Sequence, residues 1–340
     1  MKRLLLSIVA LMGLAFTSSA NAQQQDDNVD ITTYNYAIIG SDTLKIDLYQ
    51  RRDLKNKKLL PTMLYVHGGG FVTGSRKNAA QEIFLRHYAQ QGYLGASMDY
   101  RLAGMTPEQP NSKYGCKTTL EVIRLAAQDM ATATAWLINN HYADPKFIVT
   151  SGGSAGAFTI MQGEYDLCND MDYMRKQLPD SFNYAGIVAA AGTISTEPDK
   201  DLTWKHAPCP YFILQGDSDK VVTEEVGPYL GMRMFGAQTL HKRFTEAGYP
   251  HWVYIEKGAD HVVAMKHLTD NLEETDKFIR SFIKEKKPSM VYTEWQDQEP
   301  ANMKDVNQMI KYVPMYILGY DKYLKDIDWG NMQKPDDVVY

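Results

Sequence analysis

VTSGGSAGAF, residues 149–158, sets a lone serine between glycines directly after a strand-like run, Phe147-Ile148-Val149-Thr150. The five residues Gly152-Gly153-Ser154-Ala155-Gly156 fit G-x-S-x-G, in which a serine rides a strained strand-to-helix turn and small neighbours let the backbone bend tightly. Such a turn exposes the hydroxyl at the end of a sheet, and the helix that follows points its N-terminus at the same place, where its dipole favours negative charge. A glycine-rich linker would also contain these residues. It would not account for the apolar run before them or for the helix-like GAFTIMQGEY after them. Ser154 is therefore the candidate nucleophile.

A second glycine cluster lies upstream. YVHGGGF, residues 65–71, closes another short apolar run with His67-Gly68-Gly69-Gly70. Acyl transfer builds charge on a carbonyl oxygen, and preorganised N–H donors must meet it. Glycines let a loop turn its amides toward a substrate. The amides of Gly69 and Gly70, with that of Ala155 just after the serine, are the expected oxyanion hole.

A serine hydroxyl needs a base, and the base needs an orienting acid. Five histidines follow Ser154 in the chain. His261, in EKGADHVVAM, falls after the last strand-like run and before the last helix-like one, so it can reach the end of the sheet that carries the serine. His251 precedes its strand and would face the opposite end. His267 falls within the helix, and His206 and His241 read as surface or loop residues. For the acid, FILQGDSDKVV offers Asp217 and Asp219 after a buried run. Asp219 lies farther into the loop and is preferred, while Asp217 suits a turn-bracing role. Asp99, in SMDYRL, precedes the serine and reads as structural.

Outward from these motifs, strand and helix signals alternate. PTMLYVHGGG, YLGASMDY, KFIVTSGG, YAGIVAAAG, CPYFILQG and HWVYIEKG read as strands. Residues 78–91, 117–141, 156–165, 222–247 and 266–285 read as helices. This pattern predicts a mostly parallel sheet covered on both faces. YNYAIIG-SD-TLKIDLYQ reads as a hairpin with Leu44, Ile46 and Leu48 on one face, an antiparallel edge to that sheet. After KEKKP the composition shifts to Tyr, Trp, Met and Asp. Residues 288–340 are read as an extension packed on a catalytic domain of residues 23–287, with one helix at 303–325. Its aromatics Tyr292, Trp295, Tyr312, Tyr316, Tyr320 and Trp329 serve packing more readily than sugar binding.

Residues 1–22 read as a secretory signal: Lys2 and Arg3, then LLLSIVALMGLAF, then Ala20-Asn21-Ala22 before Gln23. The expected location is periplasmic or secreted, with no stable membrane anchor. The 340 residues, 44% hydrophobic and 23% charged with a net charge of −5, form no basic footprint for nucleic acid. Of three cysteines, Cys209 reads as a small core residue, and Cys116 with Cys168 is the one pairing considered. Their spacing matches no metal signature, and no metal or organic cofactor is expected.

Taken in order, HGGGF, DYRL, GGSAG, GDSDKVV and GADH resemble α/β-hydrolase esterases, among them the bacterial hormone-sensitive-lipase-like and carbohydrate acetyl or feruloyl esterase groups. The resemblance covers residues 34–285. It implies an eight-stranded α/β-hydrolase sheet, a chain order of Ser, Asp, His, and hydrolysis of carboxylic esters by Ser154, Asp219 and His261. Gly153 stands where many relatives have Asp, and DYRLAGMTPEQP departs from their DYRLAPE. Both lean toward exported carbohydrate esterases acting on small acyl or aryl esters. The same fold and triad also serve serine exopeptidases, and a binding protein that has lost activity is the reading from another class.

Overall fold

The computed structural model describes residues 28–104, 111–222, 227–229, 231–298, 300 and 302. The signal-sequence reading and the helix expected at 303–325 lie outside these residues, as do Tyr312, Tyr316, Tyr320 and Trp329.

The chain begins with the expected hairpin, β1 (Val29–Ile39) and β2 (Asp42–Arg51), turning at Gly40 with a positive φ of 59°. Leu44, Ile46 and Leu48 all face inward and are buried. There follow β3 (Leu60–Val66), α1 (Ala79–Gln90), β4 (Leu94–Met98), α2 (Thr119–Asn139), β5 (Ala143–Gly153) and α3 (Ala155–Cys168). Both long helices begin on side-chain caps: Asn78 accepts from the Gln81 N–H and Thr118 from the Glu121 N–H, each satisfying an otherwise orphaned donor. The second half contains α4 (Asp172–Arg175), β6 (Gly186–Ala190), β7 (Ile194–Thr196), β8 (Tyr211–Gly216), β9 (Gly227–Tyr229) and β10 (Met232–Phe235). It continues with α5 (Ala237–Ala247), β11 (His251–Lys257), α6 (Val263–Lys266), α7 (Leu272–Phe278) and β12 (Met290–Gln296).

The main sheet runs β1-β2-β4-β3-β5-β6-β8-β11-β12. β1, β2 and β4 pair antiparallel, and every pair from β4 to β12 is parallel. Side chains alternate across this sheet, so each strand feeds two cores. Leu64, Ile148, Ile187 and Ile213 pack on one face with α2, α3 and α5. Met63, Tyr65, Val149, Val188 and Phe212 pack on the other with α1 and the chain around α6 and α7. The sheet thus carries the predicted antiparallel edge and helices on both faces.

Three details differ from the sequence reading. Among the described residues the sheet has nine strands rather than eight, and the ninth, β12, falls inside the segment read as an extension. Its residues pair in register with β11 from His251–Met290 to Lys257–Gln296. An edge strand need not be apolar, and β12 alternates only between half-buried and exposed positions, so it lacks the signal of a buried strand. Among the described residues, the stretch 222–247 is helical only from Ala237. Before it, β9 and β10 join β7 in a second, three-stranded sheet. The helix expected at 266–285 is broken. The Lys266 carbonyl accepts three N–H bonds, from Thr269, Asp270 and Asn271, which closes a turn between α6 and α7, and a π-helical segment (Ile279–Lys284) ends the run.

Cys116, Cys168 and Cys209 are all free, which corrects the pairing of Cys116 with Cys168. The buried Cys168 thiol instead donates to Glu164 Oε1, at 3.1 Å, and the Cys209 backbone N–H donates to the same oxygen. Cys209 is the buried core residue expected.

Candidate active site

The turn between β5 and α3 is built by contact as much as by torsion. Ser154 has φ 53° and ψ −125°, a strained conformation for a residue with a side chain. Its N–H donates to the Ala190 carbonyl of β6, at 2.9 Å, and its carbonyl accepts from Phe158, which anchors the turn at both ends. The flanking glycines leave no room for a Cβ. One on Gly156 would overlap the Val66 carbonyl at the end of β3, and one on Gly152 would lie 2.7 Å from the Gly156 carbonyl carbon. The G-x-S-x-G spacing therefore records two close approaches of backbone. Gly153 records a third, against the Ala264 carbonyl of α6. That approach explains why the position before the serine is glycine in this chain.

The loop of His67 to Gly70 sits against this turn through the same Val66 and His67 carbonyls. Gly69 has φ 119°, and its carbonyl accepts from both Val72 and Thr73. A Cβ on Gly69 would overlap the Thr73 carbonyl, so no other residue fits. Gly70 has φ 62°, and a Cβ there would meet Val72 Cγ2 at 3.8 Å, an ordinary van der Waals contact. His67 is buried, stacks on Tyr100 with ring centroids 4.3 Å apart, and has its pKa lowered by burial. The Tyr100 hydroxyl donates to the His67 carbonyl at 2.9 Å, so the DYRL motif braces the loop. Its other members are structural too: Asp99 accepts from Arg76, and Arg101 pairs with the buried Asp129 at 2.6 Å. Among the described residues, the N–H groups of Gly69, Gly70 and Ala155 donate to no protein acceptor.

His261 lies in the loop between β11 and α6. Its Nε2 is 2.9 Å from Ser154 Oγ and its Nδ1 is 2.8 Å from Asp219 Oδ2. Because the carboxylate only accepts, the bonding pattern assigns the ring proton to Nδ1 and leaves the Nε2 lone pair facing the serine. Asp219 follows β8 and has no exposed side-chain surface. Its Oδ1 accepts from the N–H groups of Val221 and Val222, at 2.8 and 2.9 Å. Gln215 Nε2 donates to its Oδ2 at 3.2 Å, and also to the Val222 carbonyl at 3.0 Å. The sequence reading passed over Gln215 and its hydrogen bond to Asp219; a polar side chain in a run as apolar as FILQG was the available signal.

Asp217 is turned elsewhere. It accepts from the Gly258 N–H at 2.6 Å and pairs with Lys257 at 2.9 Å, bridging the loops that follow β8 and β11. The remaining histidines stay away from the serine hydroxyl. His206 pairs with Asp170 on the surface, while His241 and His251 bond each other at 2.8 Å. His267 follows α6 and is fully buried behind the turn, with Cε1 3.2 Å from where a Gly153 Cβ would stand. Burial pushes its pKa down to about 3.

A serine on a strand-to-helix turn at the end of a largely parallel, helix-covered sheet defines the α/β-hydrolase fold, and this chain has it. Within that class, the BD-FAE family model matches residues 46–196, from β2 through β7. Gut esterase 1 of Caenorhabditis briggsae is 30% identical over 129 residues, 36% of this chain and 21% of that protein. A probable carboxylic ester hydrolase of Mycobacterium tuberculosis, LipM, is 26% identical over 114 residues, 33% of this chain and 23% of that protein. The chain spans less than a quarter of the length of these curated relatives. Among solved structures, esterase 2 of Thermogutta terrifontis phosphoramylated by tabun superposes with a TM-score of 0.56 at 16% identity. The superposition covers 75% of this chain and 95% of that one.

Proposed function

We propose that the protein hydrolyses carboxylic esters through an acyl-enzyme, with Ser154 as nucleophile, His261 as base and acid, and Asp219 as the orienting carboxylate. The observation that carries this reading is the unbroken line of contacts from Asp219 through His261 to Ser154 Oγ. In it, Ser154 Oγ attacks the ester carbonyl carbon as its proton passes to His261 Nε2. The tetrahedral oxyanion is met by the N–H groups of Gly69, Gly70 and Ala155. Collapse breaks the carbon–oxygen bond, and His261 returns the proton to the departing alkoxide. Water then repeats the sequence on the acyl-serine and releases the acid. The matching of the chain to proteins named as esterases agrees with this chemistry.

The preferred substrates are small acyl or aryl esters, including acetylated or feruloylated carbohydrates. The deciding experiment is turnover of a panel of 4-nitrophenyl acetate, methyl ferulate and acetylated oligosaccharides, against a dipeptide anilide panel for the exopeptidase alternative. Hydrolysis of anilides in preference to every ester overturns the reading. The leader-like residues 1–22 make export part of the same proposal, checked by N-terminal sequencing of the mature protein.

A further inference from the structure

A cavity lies at the end of the sheet opposite Ser154. A cleft of about 650 Å³ opens where β5 begins and where the chain approaches β6, β8 and β11. Lys146 stands on its rim within β5, eight residues before Ser154. At about 3.3 Å per strand residue, that is about 26 Å from the nucleophile. The cleft and the serine therefore do not share a ligand. Its volume falls in the range of small-molecule sites.

The lining has two chemistries. Phe147, Phe282 and Ile283 supply an apolar wall. Lys146, Lys284, Lys286 and Lys287 supply cations, and among the described residues no carboxylate lines the space. Among the described residues, Lys287 pairs with the Glu285 carboxylate at 2.5 Å, and Lys146, Lys284 and Lys286 pair with no carboxylate. The Lys284 ammonium lies 5.3 Å from the centre of the Tyr93 ring. Asp276, the acidic charge it senses, is engaged by His87 at 3.0 Å. Four ammonium groups around one concave apolar surface repel one another, and they do so in a chain whose net charge is −5. An anion with an apolar body would relieve that repulsion and cover the wall.

We propose that this cleft is a binding site for a small amphipathic anion, a free carboxylate on an aromatic or hydrocarbon body. The proposal is independent of what Ser154 does. It is tested by calorimetric titration of the full chain with 3-phenylpropionate and, in parallel, with 3-phenylpropanol. The expected result is saturable one-site binding of the acid, with the alcohol weaker by about tenfold or more, the scale of a lost charge-assisted bond. Lys284→Gln combined with Lys286→Gln weakens acid binding by the same factor and leaves turnover of 4-nitrophenyl acetate unchanged. Lys146→Gln with Lys286→Gln is the second pair, should the first not fold. Equal affinity for acid and alcohol overturns the proposal, as does undiminished binding in a folded double variant. Binding to phosphatidylglycerol vesicles with none to 3-phenylpropionate overturns it as well, and moves the lysines to a membrane-facing role.

Discussion

The Ala264 carbonyl of α6 occupies the space that a side chain on Gly153 would need, so the strand before the nucleophile and the helix after His261 touch through a single hydrogen-bearing carbon. The contact couples two of the three residues assigned to catalysis. Gly153 fixes the backbone that aims Ser154, and Ala264 belongs to the turn whose N–H bonds back to the His261 carbonyl.

Gly153→Ala should therefore disturb both elements. Overpacking a close contact typically costs about 1–3 kcal/mol. The expected outcome is a lower melting temperature together with a fall in kcat larger than the change in KM, because the serine and histidine move apart. Wild-type melting and wild-type kcat for this variant would show that α6 yields without consequence.

Ser154→Ala should remove ester hydrolysis while leaving the fold intact. Loss of a triad member costs about 10⁴-fold or more in rate. Residual activity within tenfold of wild type, with an unchanged circular dichroism spectrum, would remove Ser154 from the mechanism.

The two neighbouring aspartates should separate cleanly. Asp219→Asn keeps the shape of the side chain but presents the imidazole with a donor, and the wrong tautomer costs on the order of 10⁴-fold in kcat. In Asp217→Asn the amide oxygen can still accept from Gly258, and only the half-exposed Lys257 pair is lost, an effect of about 1 kcal/mol or less on stability. Steady-state kinetics of both variants check the ranking; a greater loss of kcat in Asp217→Asn reverses the assignment.

The two loop glycines differ in a way the sequence did not show. Gly69→Ala collides with the Thr73 backbone, so it should lower both stability and kcat. Gly70→Ala meets only an ordinary contact with the Val72 side chain and has to hold a positive φ, at about 1–2 kcal/mol. If the Gly70 N–H serves the oxyanion, its rotation should still lower kcat by about 10²-fold. Hydrolysis of 4-nitrophenyl acetate at the wild-type rate by folded Gly70→Ala would mean that the donors lie elsewhere.

What was legible in the sequence was whatever backbone geometry demands of residue type. Gly69 of HGGG and the three glycines of GGSAG mark approaches that exclude a Cβ, and the buried parallel strands read as apolar runs. The meeting of Asp219 and His261 at Ser154 followed from their places after β8 and β11. What escaped was structure carried by short or half-exposed segments. β7, β9 and β10 have three or four residues each, too few to display a period, and MRMF beside an amphipathic helix reads as part of it. β12 is an edge strand whose outward residues, Tyr292 and Trp295, remain exposed, so its composition resembled a tail. The packing of Gly153 on α6 depends on residues more than a hundred positions apart, which no local pattern encodes.

His267 supplies a prediction about pH. Fully buried against Tyr65 and Phe84, its imidazole has a pKa of about 3 in the folded protein, because burial disfavours the cation. In the unfolded chain it titrates near 6.5. Above that value neither state binds the proton, and stability is indifferent to this residue. As pH falls below about 6.5 only the unfolded state takes the proton, so the folded state loses up to about 1.4 kcal/mol per pH unit, until His267 itself protonates near pH 3. His267→Gln removes this titration. It should be less stable than wild type at pH 7, since it perturbs the packing behind Gly153, yet the gap should narrow by about 2 kcal/mol between pH 7 and pH 5. Denaturant unfolding of both proteins at the two pH values measures the difference. A gap that stays constant would show that the folded state already carries the proton on His267 at pH 5.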